Sequence, residues 1–320
     1  MTGVVIKIRS LLKSLVKRLP HSLLMRIYHR WHVRECQAVA NTAAQQLGIP
    51  RLDTFDISTL KRTDTLFVLG SGPSINRISP TRWKGIASYD TAGFNFWPFH
   101  PFVPRMYFFE SIPYESQEAN ISAEMYSVVK RMLIDRAAAY ARVTKIITDV
   151  GVVHRDRQLI FDLPSQWLPN LYVAYTVPVI ARTETELTIG IRYLKKRRLF
   201  TKARRFWDLF KYCGSLSSII SVGVRMGYRR IVLCGIDMGK QEYFFQDREL
   251  FPRTASLEFG PKEHRHYTAE GQQWMVPMQV VVSVLMKEVL EPAGVELYLE
   301  NPASALAPLV PVVPPTIFAY

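Results

Sequence analysis

The chain has 320 residues, 48% of them hydrophobic, with 41 Lys+Arg against 27 Asp+Glu and a formal net charge of +14. That is enough for one large hydrophobic core or two modest ones, and it excludes a collagen-like, low-complexity or disordered chain. The cationic excess favours anionic partners (nucleic acid, anionic lipid or phosphorylated substrates), while three cysteines without metal-ligand spacing fit a reducing compartment.

Val4, Ile8, Leu11, Leu12, Leu15 and Leu19 recur at helical spacing, with Lys7, Arg9, Lys13, Lys17 and Arg18 largely between them. The pattern predicts a basic amphipathic helix ended by Pro20. The interleaved cations and the missing small-residue cleavage site argue against a signal peptide, and no apolar run is long enough to span a bilayer. Such a helix either lies on an anionic membrane surface or packs on the domain. A second helix is expected over 22–46. The apolar run 65–69 then enters Gly70-Ser71-Gly72-Pro73-Ser74, a buried strand running into a glycine-rich turn. Further short strands are expected over 86–89 and 106–109, a helix over 116–143 and a strand over 145–150. A helix over 215–226 is closed by Gly227, and a buried strand over 231–234 ends at Gly235-Ile236-Asp237. A helix over 268–290, interrupted near Pro277, and a last strand over 295–299 complete the pattern. Alternating strands and helices predict an α/β fold with a mainly parallel sheet covered on both faces.

Four segments carry residue types suited to chemistry. The 70–74 turn follows a core strand, where open α/β sheets bind ligands, and its glycines let backbone N–H groups approach a phosphate or sugar. It is neither the dinucleotide fingerprint nor a P-loop. Asn95, after Asp90-Thr91-Ala92-Gly93-Phe94, can bond a nucleotide or its own backbone. Asp237 stands at the end of a central strand, where it either binds ribose hydroxyls or caps the next element. His264-Arg265-His266-Tyr267-Thr268-Ala269-Glu270 gathers groups able to take a proton or neutralise a leaving phosphate. A zinc site is not expected there, because no cysteine lies nearby and no helical His pair exists.

In order and spacing these segments resemble the bacterial sialyltransferases of glycosyltransferase family 42. The match runs from Gly70-x-Gly72-Pro73-Ser74 through Asn95, the helix with Ser215 and Ser217, and the stretch from Gly227-Tyr228-Arg229-Arg230 to Gly235-Ile236-Asp237. It continues through His266-Tyr267 to Val295-Glu296-Leu297-Tyr298-Leu299 with Asn301-Pro302 and Ser304. It covers about residues 63–309. Related flagellin-glycosylation and pterin-pyrophosphokinase-like proteins share the glycine turn. The resemblance implies a GT-A variant, one Rossmann-like domain with a small lid over about 238–267. It implies a CMP-sugar donor such as CMP-sialic acid, inversion at the anomeric carbon, no cofactor and no metal. Donor-binding positions carried over are Gly70, Ser71, Gly72, Pro73, Ser74, Asn95, Glu110, Ser215, Gly235 and Asp237. The chain departs from the family at Ser71 and Glu110, where the family has asparagine, and at Glu270, where the family has its catalytic histidine. The base is therefore either Glu270 or His266, with Tyr243, Tyr267 and Arg265 placed to stabilise the departing phosphate.

The expected organisation is a basic helical arm over 1–60, the nucleotide-sugar-binding catalytic domain over 61–310 and a tail over 311–320. The expected setting is the cytoplasmic, inner face of the bacterial inner membrane. The expected acceptor is a cell-surface glycan, lipooligosaccharide among them, and a homo-oligomer is compatible with the sequence. The basic run Arg192, Lys195, Lys196, Arg197, Arg198, Lys202, Arg204 and Arg205 either meets such an acceptor or membrane, or is a solvated helix face. No helix-turn-helix, zinc-finger or aromatic RNA-binding motif points to nucleic acid. The competing readings are a pterin pyrophosphokinase-like or other nucleotide-binding enzyme and a non-enzymatic basic peripheral membrane protein.

Overall fold

The computed structural model describes residues 20–111, 123–148, 159–239, 242–255, 257, 267–271 and 275–318. Seven parallel strands form one sheet in the order β5-β4-β3-β2-β1-β8-β9. They are β1 (Thr65–Leu69), β2 (Asp90–Phe94), β3 (Met106–Glu110), β4 (Thr144–Thr148), β5 (Leu171–Val173), β8 (Arg230–Cys234) and β9 (Glu296–Leu299). A separate parallel pair joins β6 (Tyr175–Pro178) to β7 (Asp208–Lys211). The strand order reverses between β1 and β8, whose registers run Thr65 against Arg230 to Leu69 against Cys234. This is a Rossmann-like α/β architecture, and its topological switch point lies at the carboxyl ends of β1 and β8.

β1 and β8 are built on apolar runs, Leu66–Leu69 and Ile231–Cys234, because helices cover both faces; all five residues of β1 are buried. The helices are α1 (His21–Leu47), α2 (Pro80–Ala87), α3 (Ala123–Tyr140), α4 (Glu184–Lys196), α5 (Ser215–Met226), the single turn α6 (Tyr267–Glu270) and α7 (Met278–Leu285). A π-helical turn, Met286–Leu290, joins α7 to α8 (Glu291–Ala293). In α5 every residue after Ser215 is buried, and Gly223 lets it approach the sheet: a Cβ there would stand 2.8 Å from Ile231 and 3.3 Å from Leu66. The helix stops at Gly227, whose φ of +78° suits glycine.

Within 20–60, α1 buries Met25, His29, Cys36, Ala40, Ala43 and Ala44, packs on β6 and α4, and bonds Gln37 to the Tyr175 hydroxyl. At the other end, Val312 bridges Leu299, and Phe318 packs on Phe67. The expected helix over 4–19 lies outside the described residues. No described helix is long and apolar enough to cross a membrane.

One reading of the sequence is corrected. Ile86 and Ala87 end α2 instead of opening a strand, and β2 is Asp90–Phe94. Asp90 can begin a buried strand because its carboxylate accepts from the backbone N–H groups of Arg62 (2.7 Å) and Thr63 (2.9 Å) and ion-pairs Arg105 at 3.3 Å. The helix expected over 268–290 with an interruption near Pro277 is found as α6 and α7: Gly271 turns at φ +73° after α6, and Pro277 caps α7.

Candidate functional site

At the switch point the turns after β1 and β8 interlock. The Gly70 N–H donates to the Cys234 carbonyl and the Gly72 N–H to the Gly235 carbonyl, each at 2.8 Å. A Cβ on Gly72 would lie 2.4 Å from an Asp237 carboxylate oxygen, and one on Gly70 would lie 2.7 Å from the Gly235 carbonyl. These glycines are therefore required by the partner turn. Gly235 itself adopts φ +66°. Asp237 takes the capping role: Oδ2 accepts from the Ser74 N–H at 2.8 Å, at the start of the 3₁₀ turn Pro73–Arg77. Its Oδ1 accepts from Asn301 Nδ2 at 2.7 Å. The loop after β9 braces the same corner, since Ser304 Oγ donates to the Ile236 carbonyl and the Ala305 N–H to that of Asp237. The hydroxyls of Ser71 and Ser74 are buried and have no hydrogen-bond partner among the described residues.

Beside this corner, β2, β3 and α5 deliver a second polar group. Asn95 follows β2 at φ +50°, a conformation asparagine tolerates, and its N–H donates to the Phe108 carbonyl at 3.0 Å. Its Nδ2 donates to Ser215 Oγ at 3.3 Å, and that hydroxyl donates to Glu110 Oε1. Glu110 Oε2 ion-pairs Lys211, at the end of β7, at 2.8 Å. Three residues far apart in sequence and read as donor-binding thus form one chain of bonds. Lys211 was missed, because a lone lysine at the end of a short strand carries no signal. Between Lys211 and Ser215 the backbone bends at Cys213 (φ +64°) and Gly214 (φ +151°). Ser217 ties this bend down: its hydroxyl accepts from the Tyr212 N–H and lies 2.8–2.9 Å from the Gly214 and Tyr212 carbonyls. Burial pushes the Cys213 thiol up to about 12, so it stays protonated.

The α6 turn sits over this bend. Gly214 faces the Thr268 methyl group, Cys213 Sγ donates to the Thr268 carbonyl at 3.6 Å, and Thr268 Oγ1 reaches Met238 Sδ at 3.8 Å. Glu270 is exposed at the end of this turn. His264, Arg265 and His266 lie outside the described residues, as does the Tyr267 side chain. Tyr243 is half-buried, stacked on Phe245 at 5.2 Å and edge-on to Phe96 at 5.6 Å. The next residue crosses the glycine turn: the Phe244 N–H donates to the Ser71 carbonyl at 3.0 Å, and Asn76 Nδ2 donates to the Phe244 carbonyl at 2.9 Å.

The site therefore comprises the 70–74 turn, Asp237, the Asn95–Ser215–Glu110–Lys211 chain and the α6 turn. It lies along the carboxyl ends of the strands. Among the described residues no three His, Cys, Asp or Glu side chains form a metal-binding group. A groove of about 510 Å³ opens at the opposite edge, beneath β1, among Lys61, Arg62, Asp64, Lys202 and Arg204. Two of its cations are paired internally, Lys61 with Asp64 and Arg204 with Asp56, each at 2.6 Å, and it is remote from the strand ends. Within the basic run, Arg192 forms a two-pronged pair with Glu288. No family model, curated protein or solved structure matches this chain.

Proposed function

We propose that this protein is a glycosyltransferase that moves a sugar, sialic acid or another CMP-activated acid sugar, from a CMP-sugar to a cell-surface glycan, with inversion and without a metal. The fold would be a GT-A variant, with residues 238–267 as the lid. The observation that carries the reading is the bonding of Asn95, Glu110 and Ser215 to one another, beside a glycine turn at the switch point. Such a crevice is where α/β sheets bind nucleotides. The Ser71 and Ser74 hydroxyls and the first N–H groups of α5, which have no side-chain cap, suit the donor phosphate. Asp237 serves as a positioning residue that fixes the turn.

In the reaction the acceptor hydroxyl oxygen forms a bond to the anomeric carbon. The bond from that carbon to the phosphate oxygen breaks, and CMP leaves with the electron pair. The acceptor proton passes to Glu270 or His266. Positive groups and N–H donors along the strand ends stabilise the charge that develops on the phosphate.

The test is a thermal-shift screen with CMP, CDP, UDP, GDP and ATP, with and without EDTA. Ligand at ~100 times its Kd stabilises by about 2.7 kcal/mol. We expect CMP to stabilise in the presence of EDTA. Turnover of CMP-sialic acid or CMP-Kdo by Glu270→Gln and His266→Ala then identifies the base as the variant that loses roughly 10²–10⁴-fold in kcat. Stabilisation by ATP with Mg²⁺ alone would replace this reading with the pyrophosphokinase-like one.

A further inference from the structure

α1 turns an unusual face outward. Leu23, Ile27 and Trp31 are 40%, 55% and 68% exposed, spaced four residues apart so that they form one stripe. Arg26, Arg30 and Arg34 are exposed at the same spacing, and at ~100° per residue all six side chains fall within a sector of about 140°. None of the three arginines has an acidic partner among the described residues. The first acid in the helix is Glu35, and its carboxylate faces His32 at 3.4 Å. The opposite side carries Met25, His29, Cys36 and Ala40, which are buried in the domain. Single exposed apolar residues are ordinary, but a tryptophan in line with two aliphatic residues and three arginines is not.

We propose that this face of α1 docks on an anionic phospholipid bilayer, with α1 lying in the plane of the headgroups. Trp31 suits the interface, where its ring meets acyl chains and its N–H meets water. The arginines suit acidic headgroups, and their stems lie along the apolar boundary. The chain before α1 strengthens the charge match, since residues 1–19 contain Lys7, Arg9, Lys13, Lys17 and Arg18 and no acid. A second copy of the chain is a poor occupant, because a two-fold contact through this face would set six arginines against one another. This inference is independent of the sugar donor.

The experiment uses the full chain and sedimentation with vesicles of phosphatidylcholine alone or of equal parts phosphatidylcholine and phosphatidylglycerol. We expect binding to the anionic vesicles that weakens with added salt. Arg26→Gln/Arg30→Gln/Arg34→Gln should lower the affinity on the order of 10²-fold, about fivefold for each arginine near a charged surface. Ile27→Ser/Trp31→Ser should lower it by about tenfold or more. The native cysteines are buried, so Leu23→Cys carrying an environment-sensitive fluorophore reports on this face, and its emission should shift to the blue on the anionic vesicles. Unchanged binding by both multiple variants would overturn the proposal and assign the contact to residues 1–19. A blue shift without vesicles that grows with protein concentration would also overturn it, in favour of self-association. CMP stabilisation measured on the same variants in solution separates a failure of this face from a failure of the donor reading.

Discussion

Asp237 accepts one hydrogen bond on each carboxylate oxygen, from the Ser74 N–H and from Asn301 Nδ2. Both partners are donors, so an amide at this position cannot serve both. Asp237→Asn would turn its NH₂ group toward one of the two donors. Asn301 cannot relieve the conflict by flipping without withdrawing Oδ1 from the Ala303 N–H, which it holds at 3.1 Å. Hydrogen bonds to a charged group contribute roughly 1.5–3 kcal/mol, and the half-exposed setting of Asp237 selects the low end. Asp237→Asn should therefore cost about 1.5 kcal/mol in urea unfolding and weaken nucleotide stabilisation as the 70–74 turn loosens. An unchanged unfolding midpoint would mean that the carboxylate does not hold this corner. The sequence left Asp237 between binding and capping, since an acid at a strand end looks the same in either role. The second partner of its carboxylate, Asn301, lies 64 residues further along the chain, where no local signal reaches.

The elements that the sequence made legible are those whose signal is local. Ile231–Cys234 and Leu66–Leu69 are unbroken apolar runs because both faces are covered, and α5 is framed by Ser215 and Gly227. Leu171–Val173, Tyr175–Pro178 and Asp208–Lys211 are three or four residues long, too short for a period to show. Asp90–Phe94 reads as a loop because Asp and Gly are poor strand formers; the bonds from 62–63 and Arg105 overrule that preference. In the site, Asn95 and Ser215 were legible as candidates, but their contact through the α5 terminus was not. That contact depends on the bend at Cys213 and Gly214, which Ser217 secures. Ser217 is fully buried, and replacing its hydroxyl leaves the Tyr212 N–H and nearby carbonyls without that partner. Ser217→Ala should destabilise by about 1–3 kcal/mol. It should also reduce nucleotide binding, while Ser221→Ala, at a buried hydroxyl on the same helix with no partner among the described residues, should do neither. Equal effects from the two substitutions would count against the bend as a distinct device.

The connection from β2 to β3, helix α2 and the 244–251 stretch meet in one aromatic cluster, and His100 is at its centre. Its ring lies 4.6 Å from Trp97, 4.9 Å from Trp83 and 5.4 Å from Phe244. Nδ1 accepts from the Phe102 N–H at 3.1 Å, which requires that nitrogen to be unprotonated. Burial, helped by the nearby Arg136 charge, lowers the His100 pKa from 6.5 to about 4. The unfolded chain therefore binds the proton more readily than the folded one. The folded state suffers no penalty from this group above pH 6.5, and loses stability as the pH falls from there toward 4. At about 1.36 kcal/mol per pKa unit the loss reaches about 3 kcal/mol. Because the ring joins the β2–β3 connection to the stretch that crosses the glycine turn, the loss should be felt by the whole cooperative unit. Urea unfolding of the wild type and of His100→Asn, which keeps an acceptor and cannot titrate, tests this. The wild type should lose about 3 kcal/mol more than the variant between pH 7 and pH 4, and parallel curves would show that His100 does not couple this cluster to pH.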